Sequence, residues 1–329
     1  MNTQIKLAII AIIIVIPLTS FAVTQPNFTS EISTTDNSKL QVVTSATFLY
    51  EFTQNIGKEM VDVTLLVPMG ADPHDWEPTI RDTERLQKAD MIIVNGIGYE
   101  HWLNSLELSD IAGILVDTSN GISTLDSANH DEEKHDDHAK EDGHDDHAKE
   151  DGHDDEDNHN HGVLDPHIWL NPVFAQLQVK NIANALSNSD PTNKNYYQSN
   201  AAIYNQKLNL LDTKIRTELS GCKTDFITFH DAFSYFSEEY GLTQHTIISS
   251  TDSHGDVTPK TLEHIISLAR ELNIKVIFAE ENTSTKTSQV IADEIGGKVL
   301  VLSPLEIVSD ETYVEKMTQN LESLKDALC

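Results

Sequence analysis

Three histidines in this chain stand where the backbone is built to hold a side chain still. His74 lies in Asp72-Pro73-His74-Asp75-Trp76-Glu77-Pro78, and His167 lies in Asp165-Pro166-His167-Ile168-Trp169-Leu170-Asn171-Pro172. Each phrase sets a His after Asp-Pro, with Trp and then Pro following. The proline restricts the backbone before the His and favours a turn or the start of a loop. His230 follows the apolar run Phe226-Ile227-Thr228-Phe229, so its imidazole projects from the end of a rigid element. Three such imidazoles, far apart in sequence, suit convergent metal ligation. Unrelated surface or core histidines suit the same spacing, since no HExxH or CxxC phrase accompanies them. His101, His245, His254 and His264 lack a comparable setting and read as structural or exposed residues. Trp76 and Trp169 read as packing for the walls of a site.

A parallel α/β architecture would bring such residues together. Leu40–Thr44, Val61–Val67, Met91–Gly96 and Ile114–Asp117 are short apolar runs that alternate with helical patterns such as Phe48–Ile56 and Arg81–Ala89. Solid apolar strands between helices argue a parallel sheet covered on both faces. The second half repeats the style, with strands at Phe226–Phe229, Thr246–Ile248, Lys275–Ala279 and Val299–Leu302 and helices at Ala232–Tyr240, Pro259–Leu272, Thr287–Ile295 and Glu311–Leu328. Ligands sit at the carboxyl ends of strands in such sheets, where both His74 and His230 fall. Glu280 and Glu281 end a strand on the same rim as His230. Between the halves, Tyr197, Ala201, Tyr204, Leu208, Leu211, Ile215 and Leu219 recur at helical spacing, and Gly221 stops the pattern. The expected fold class is therefore α/β, with two lobes, each a mainly parallel sheet flanked by helices, joined by one long rigid helix. The expected boundaries are residues 40–190 for the first lobe, 191–220 for the linking helix and 221–329 for the second lobe.

The chain has 329 residues and a formal net charge of −31. Such acidity argues against nucleic acid and anionic membrane surfaces and admits a cation ligand. Much of it sits in residues 130–161, where fifteen Asp/Glu and eight His stand against three Lys. There His135-Asp136-Asp137-His138-Ala139-Lys140-Glu141-Asp142-Gly143 repeats without change as His144–Gly152. With almost no apolar content the tract buries no core and reads as a disordered loop that collects metal, the alternative being a merely solvating acidic insert. At the N-terminus, Lys6 precedes the apolar run Leu7–Leu18, and Thr19-Ser20-Phe21-Ala22 offers a cleavage site after Ala22. Residues 1–22 thus read as an export signal, or as an uncleaved N-terminal anchor, followed by a flexible leader over 23–39. No Cys follows the apolar run to carry a lipid anchor. The two cysteines, Cys222 and Cys329, are compatible with one disulfide that pins the C-terminal helix, or with two free thiols.

Taken together, several phrases match a known family. Val67–His74, Asp90–Gly98, Asp165–Pro172, Thr228–Phe233, Thr258–Leu262, Ile277–Glu280 and Leu302–Leu305 resemble the zinc/manganese-type substrate-binding proteins of metal ABC importers. The similarity runs from Leu40 to Cys329. The resemblance implies metal ligation by His74, His167 and His230. The third His and the His-rich tract point to the zinc-binding subgroup, because manganese members often carry a carboxylate at that third position. Manganese-type relatives also use an Asp that aligns near Ser303, which cannot replace it as an anionic ligand. The fourth ligand is then expected at Glu280, with Glu281 or a water as alternatives. Neutral imidazoles with one carboxylate suit tetrahedral zinc on chemical grounds as well.

The function this implies is an extracytoplasmic, monomeric protein that captures Zn²⁺ with high affinity and delivers it to an ABC permease driven by a separate ATPase. No P-loop phrase is present in this chain. The alternatives are a carrier of manganese or another divalent metal, a metal buffer or adhesin on the same fold, and a zinc hydrolase. Catalytic zinc needs an open coordination position and a general base. No base or substrate motif accompanies the histidines, so the chain reads as a non-enzyme.

Overall fold

Seven of the eight described strands form on the apolar runs expected to carry them, and all of the strand pairings are parallel. The computed structural model describes residues 39–68, 71, 73–106, 111–125, 164–248, 257–281 and 285–329. The export signal, the leader up to residue 38, the His/acid tract at 130–161 and His254 lie outside the described residues. In the first half, Leu40–Thr44 (β1), Val61–Leu65 (β2), Met91–Val94 (β3) and Ile114–Asp117 (β4) pair in the order β2-β1-β3-β4. In the second half, Asp225–Thr228 (β5), Thr243–Thr246 (β6), Val276–Ala279 (β7) and Lys298–Val301 (β8) pair in the order β6-β5-β7-β8. The two sheets thus share one topology. In each, the strand order reverses beside the first strand, which is where such sheets open a ligand crevice.

Helices cover the sheets: Thr47–Gly57 (α1), Ile80–Lys88 (α2), Pro172–Ser189 (α3), Lys194–Glu218 (α4), Ser234–Tyr240 (α5), Pro259–Glu271 (α6), Lys286–Ile295 (α7) and Tyr313–Leu328 (α8). Their ends are written locally. Asn171 caps α3 by accepting a hydrogen bond from Val173 N at 2.8 Å, with Pro172 at the first helical position. Thr79 and Asp82 form a capping box on α2, and Thr312 and Glu315 form one on α8. The long linking helix of the sequence reading is α4, 25 residues long. It buries Tyr197, Asn200, Ala201, Tyr204, Leu208, Leu211 and Ile215, a stripe at helical spacing.

The strand expected at Thr246–Ile248 begins earlier, at Thr243. Its first residues, Thr243, Gln244 and His245, are polar because β6 is an edge strand, and an apolar-run criterion passes over them. The backbone pairing continues through Ile247 and Ile248, whose N–H groups donate to Thr228 O and Phe229 O. The helix expected from Ala232 starts at Ser234 instead, since residues 230–232 turn tightly, with Ala232 N donating to His230 O at 3.1 Å.

One hydrophobic core crosses the lobe boundary. It runs from Phe48, Phe52 and Ile93 in the first lobe, through Trp169, Ile182, Tyr204 and Leu208, to Phe226, Phe278, Leu302 and Leu321 in the second. Trp169 sits at the seam, fully buried, stacked on Phe48 with ring centroids 4.4 Å apart. Glu51 of α1 joins three helices, accepting hydrogen bonds from the Tyr204 hydroxyl of α4 at 2.7 Å and from Tyr313 N of α8 at 2.6 Å. Cys222 and Cys329 are disulfide-bonded, which fastens the end of α8 to the chain just after α4.

Candidate metal centre

Each of the three histidines is delivered by a different piece of backbone. His74 sits in the turn between β2 and α2, behind a buried Pro73. His167 heads the short turn Ile168–Leu170, whose three side chains are completely buried and so fix its position. Asn95 at the end of β3 reinforces it, donating from Nδ2 to Pro166 O at 2.9 Å. His230 follows β5, and its carbonyl accepts from Thr228 Oγ1 at 2.9 Å and Gln244 Nε2 at 3.0 Å. The three rings converge, with centroid separations of 5.7 Å for His74–His167, 6.2 Å for His74–His230 and 5.3 Å for His167–His230.

The carboxylate that meets them is Glu306, on the loop after β8. One ligand atom each from His74, His167, His230 and Glu306 lies within 4.8 Å of the other three. Glu306 Oε1 stands 2.9 Å from His74 Nε2 and 3.4 Å from His167 Nε2. His230 Nε2 is buried with no hydrogen-bond partner. Such an atom is costly to bury unless something else satisfies it. The opening is one-sided: the side chains of His167 and His230 are 0% exposed, while His74 retains 11%.

Glu280, expected as the fourth ligand, occupies a different place. Its Oε1 accepts from both His230 N at 3.2 Å and His230 Nδ1 at 2.5 Å. It therefore lies behind the imidazole, on the face away from the cluster. β7 runs beside β5, so a Glu at the end of one strand reaches the His at the end of the other. Glu281 is engaged as well, by Lys316 Nζ at 2.8 Å. His167 is held in the same manner as His230: Asp165 Oδ1 accepts from its N at 2.9 Å and its Nδ1 at 2.7 Å. With Nδ1–H committed to a carboxylate, Nε2 of each ring is left to face the cluster. That orientation is what metal-bound histidines commonly show.

The charges are strongly coupled. Burial opposes a charge on His167, but Asp165 and Glu306 outweigh it and push its pKa up to about 10. Burial likewise works against ionisation of Glu306, yet the His74 and His167 imidazoles hold it well below the ordinary carboxylate range. Beside Asn95, burial pushes Glu100 up to about 7, against hydrogen bonds from Ser45, Asn95 and Gly96.

Among the described residues, the remaining histidines are engaged or exposed away from this group. His101 lies 3.5 Å from Glu77, and His245 lies 3.0 Å from Asp225. His264 is on the surface of α6. Trp169 walls the site, its ring centroid 5.1 Å from that of His167, while Trp76 packs edge-on against Trp102. Glu306 was missed because it lies in irregular chain.

Three imidazoles and one carboxylate, nearly closed to solvent, have the composition of a four-coordinate zinc site. The profile of the family described as zinc-uptake complex component A, periplasmic (ZnuA), matches residues 42–327. The chain is 40% identical over 299 residues to the high-affinity zinc uptake system protein ZnuA of Bacillus subtilis, covering 88% of each. It is 33% identical over 296 residues to the zinc-binding protein AdcA of Streptococcus pyogenes, covering 87% of this chain but only 56% of that longer relative. The crystal structure of the metal-dependent lipoprotein YcdH of Bacillus subtilis superposes with a TM-score of 0.71 at 37% identity, over 88% of this chain and 99% of that one. This chain belongs to the zinc-uptake component A family, the extracytoplasmic zinc-binding components of zinc ABC importers.

Proposed function

We propose that His74, His167, His230 and Glu306 bind one Zn²⁺ as cargo, which this protein captures and hands to the importer's permease. The observation that carries the ligand set is the convergence of four ligand atoms within 4.8 Å, with an unpartnered His230 Nε2 among them. Zinc–nitrogen bonds of roughly 2.0–2.1 Å place ligand atoms about 3.3 Å apart in a tetrahedron. The His167–Glu306 separation of 3.4 Å already meets that spacing, and His74 and Glu306 part slightly from 2.9 Å. Four protein ligands leave no open position for an activated water. That supports carriage over hydrolysis. Three nitrogens and one oxygen favour zinc over manganese, which prefers oxygen-rich, six-coordinate surroundings.

The test is zinc titration against a competing chelator with protein lacking residues 130–161. One tight equivalent, lost in both Glu306→Ala and His230→Ala, is the expected result. Only weak binding, unchanged by either substitution, would move the metal function to the His-rich tract.

A further inference from the structure

His230 follows a strand end and His167 heads a buried turn, whereas Glu306 rides on irregular chain. What holds it in place is a row of side-chain donors. The carbonyls of three consecutive residues, Ser303, Pro304 and Leu305, each accept one hydrogen bond, and each donor comes from a different element. Asn320 of α8 donates from Nδ2 to Ser303 O at 2.7 Å, and its Oδ1 accepts from Ser303 N at 2.7 Å. Trp169 Nε1 donates to Pro304 O at 2.7 Å. Thr47 Oγ1, from the first turn of α1 in the other lobe, donates to Leu305 O at 3.0 Å. Ser303 Oγ accepts from Leu305 N at 3.2 Å and closes the turn.

The turn is strained at the residue just before the carboxylate. Leu305 has φ 62°, in the left-handed region that branched and bulky side chains avoid. Such a conformation persists only where its surroundings over-determine it. Here the surroundings are these donors, together with the burial of Leu305 itself.

We propose that Thr47, Trp169 and Asn320 are positioning residues for metal capture, holding Ser303–Leu305 so that Glu306 faces the three imidazoles before the metal arrives. The inference rests on Glu306 being a ligand. It gives Thr47 a particular part, because its hydrogen bond crosses from one lobe to the other. The fourth ligand is presented only while α1 and the loop after β8 stay together. Separation of the lobes breaks this hydrogen bond and releases the turn that aims the carboxylate.

Thr47→Val removes the hydroxyl and keeps the shape, and Thr47→Ser keeps the hydroxyl. Zinc affinity is measured by chelator competition on the full chain, in the wild-type and Glu306→Ala backgrounds. The expected result is an affinity about three- to tenfold weaker for Thr47→Val, the effect of one hydrogen bond, with most of it restored in Thr47→Ser. In the Glu306→Ala background the same substitution changes nothing, because the residue acts through that carboxylate. Equal losses in both backgrounds would mean a general structural role, and no loss in either would mean no role; each overturns the inference. If Glu306→Ala weakens binding while Thr47→Val does not, the positioning inference fails and the ligand set stands. If Glu306→Ala leaves affinity unchanged, the ligand set fails and the inference falls with it.

Discussion

At the scale of single residues, the two glutamates near His230 are separated by what they touch. Glu306 lies among the imidazoles, whereas Glu280 accepts from the back of one of them. Glu280→Gln should therefore weaken zinc binding by about ten- to hundredfold, the usual cost of losing a partner behind a metal-bound His. Glu306→Ala should cost more, and chelator competition on both variants gives the order; the reverse order would restore Glu280 as the ligand. Proton competition is also set here. His167 holds a proton up to a pKa of about 10, and zinc must displace it from Nε2. Affinity should fall about tenfold for each pH unit from 7.5 to 6.5 and below, and a flat profile over that range would contradict His ligation. For the metal-free protein the sign is opposite, because the raised His167 pKa contributes stability that is complete below the ordinary His value of 6.5 and is lost as pH rises through about 10. Thermal melts of metal-free protein should drop between pH 6.5 and 9 more steeply than melts of zinc-loaded protein. The histidines were legible because Asp-Pro phrases and a strand end constrain backbone locally. Glu306 was not, because its aim depends on hydrogen bonds from α1, α8 and Trp169, none of them near it in sequence.

At the scale of elements, apolar runs and cap residues located most strands and helices, while edges and turns escaped. β6 shows why: an edge strand is defined by its backbone partner, and its polar residues carry little of the pattern. The same limit applies to how the helices meet. Nothing in the sequence announces that Glu51 of α1 will accept from Tyr204 of α4 and the N-terminus of α8. Burial raises the Glu51 pKa against those hydrogen bonds. Tyr204→Phe should leave this carboxylate short of a partner and destabilise the protein by about 1–3 kcal/mol, measured by denaturant unfolding. An unchanged midpoint would mean that Glu51 is satisfied elsewhere.

At the scale of the whole molecule, a single core runs from one sheet to the other, and such continuity resists wide opening. Zinc loading should change the radius of gyration little in small-angle scattering, and a hinge-like contraction of several ångströms would contradict the shared core. The disulfide closes a separation of 107 residues, for which chain entropy sets an upper contribution of about 4–5 kcal/mol. Replacing both cysteines by Ser should lower the melting temperature and leave zinc affinity intact, since the bridge lies at the opposite end of α8 from the Glu306 loop. The uneven exposure of the cluster has a further outcome. With the side chains of His167 and His230 sealed, only His74 and Glu306 keep any exposure, 11% and 7%, so metal enters and leaves from one side of the cluster. A competing chelator or a docking partner therefore meets His74 and Glu306 first, with the two buried rings shielded behind them.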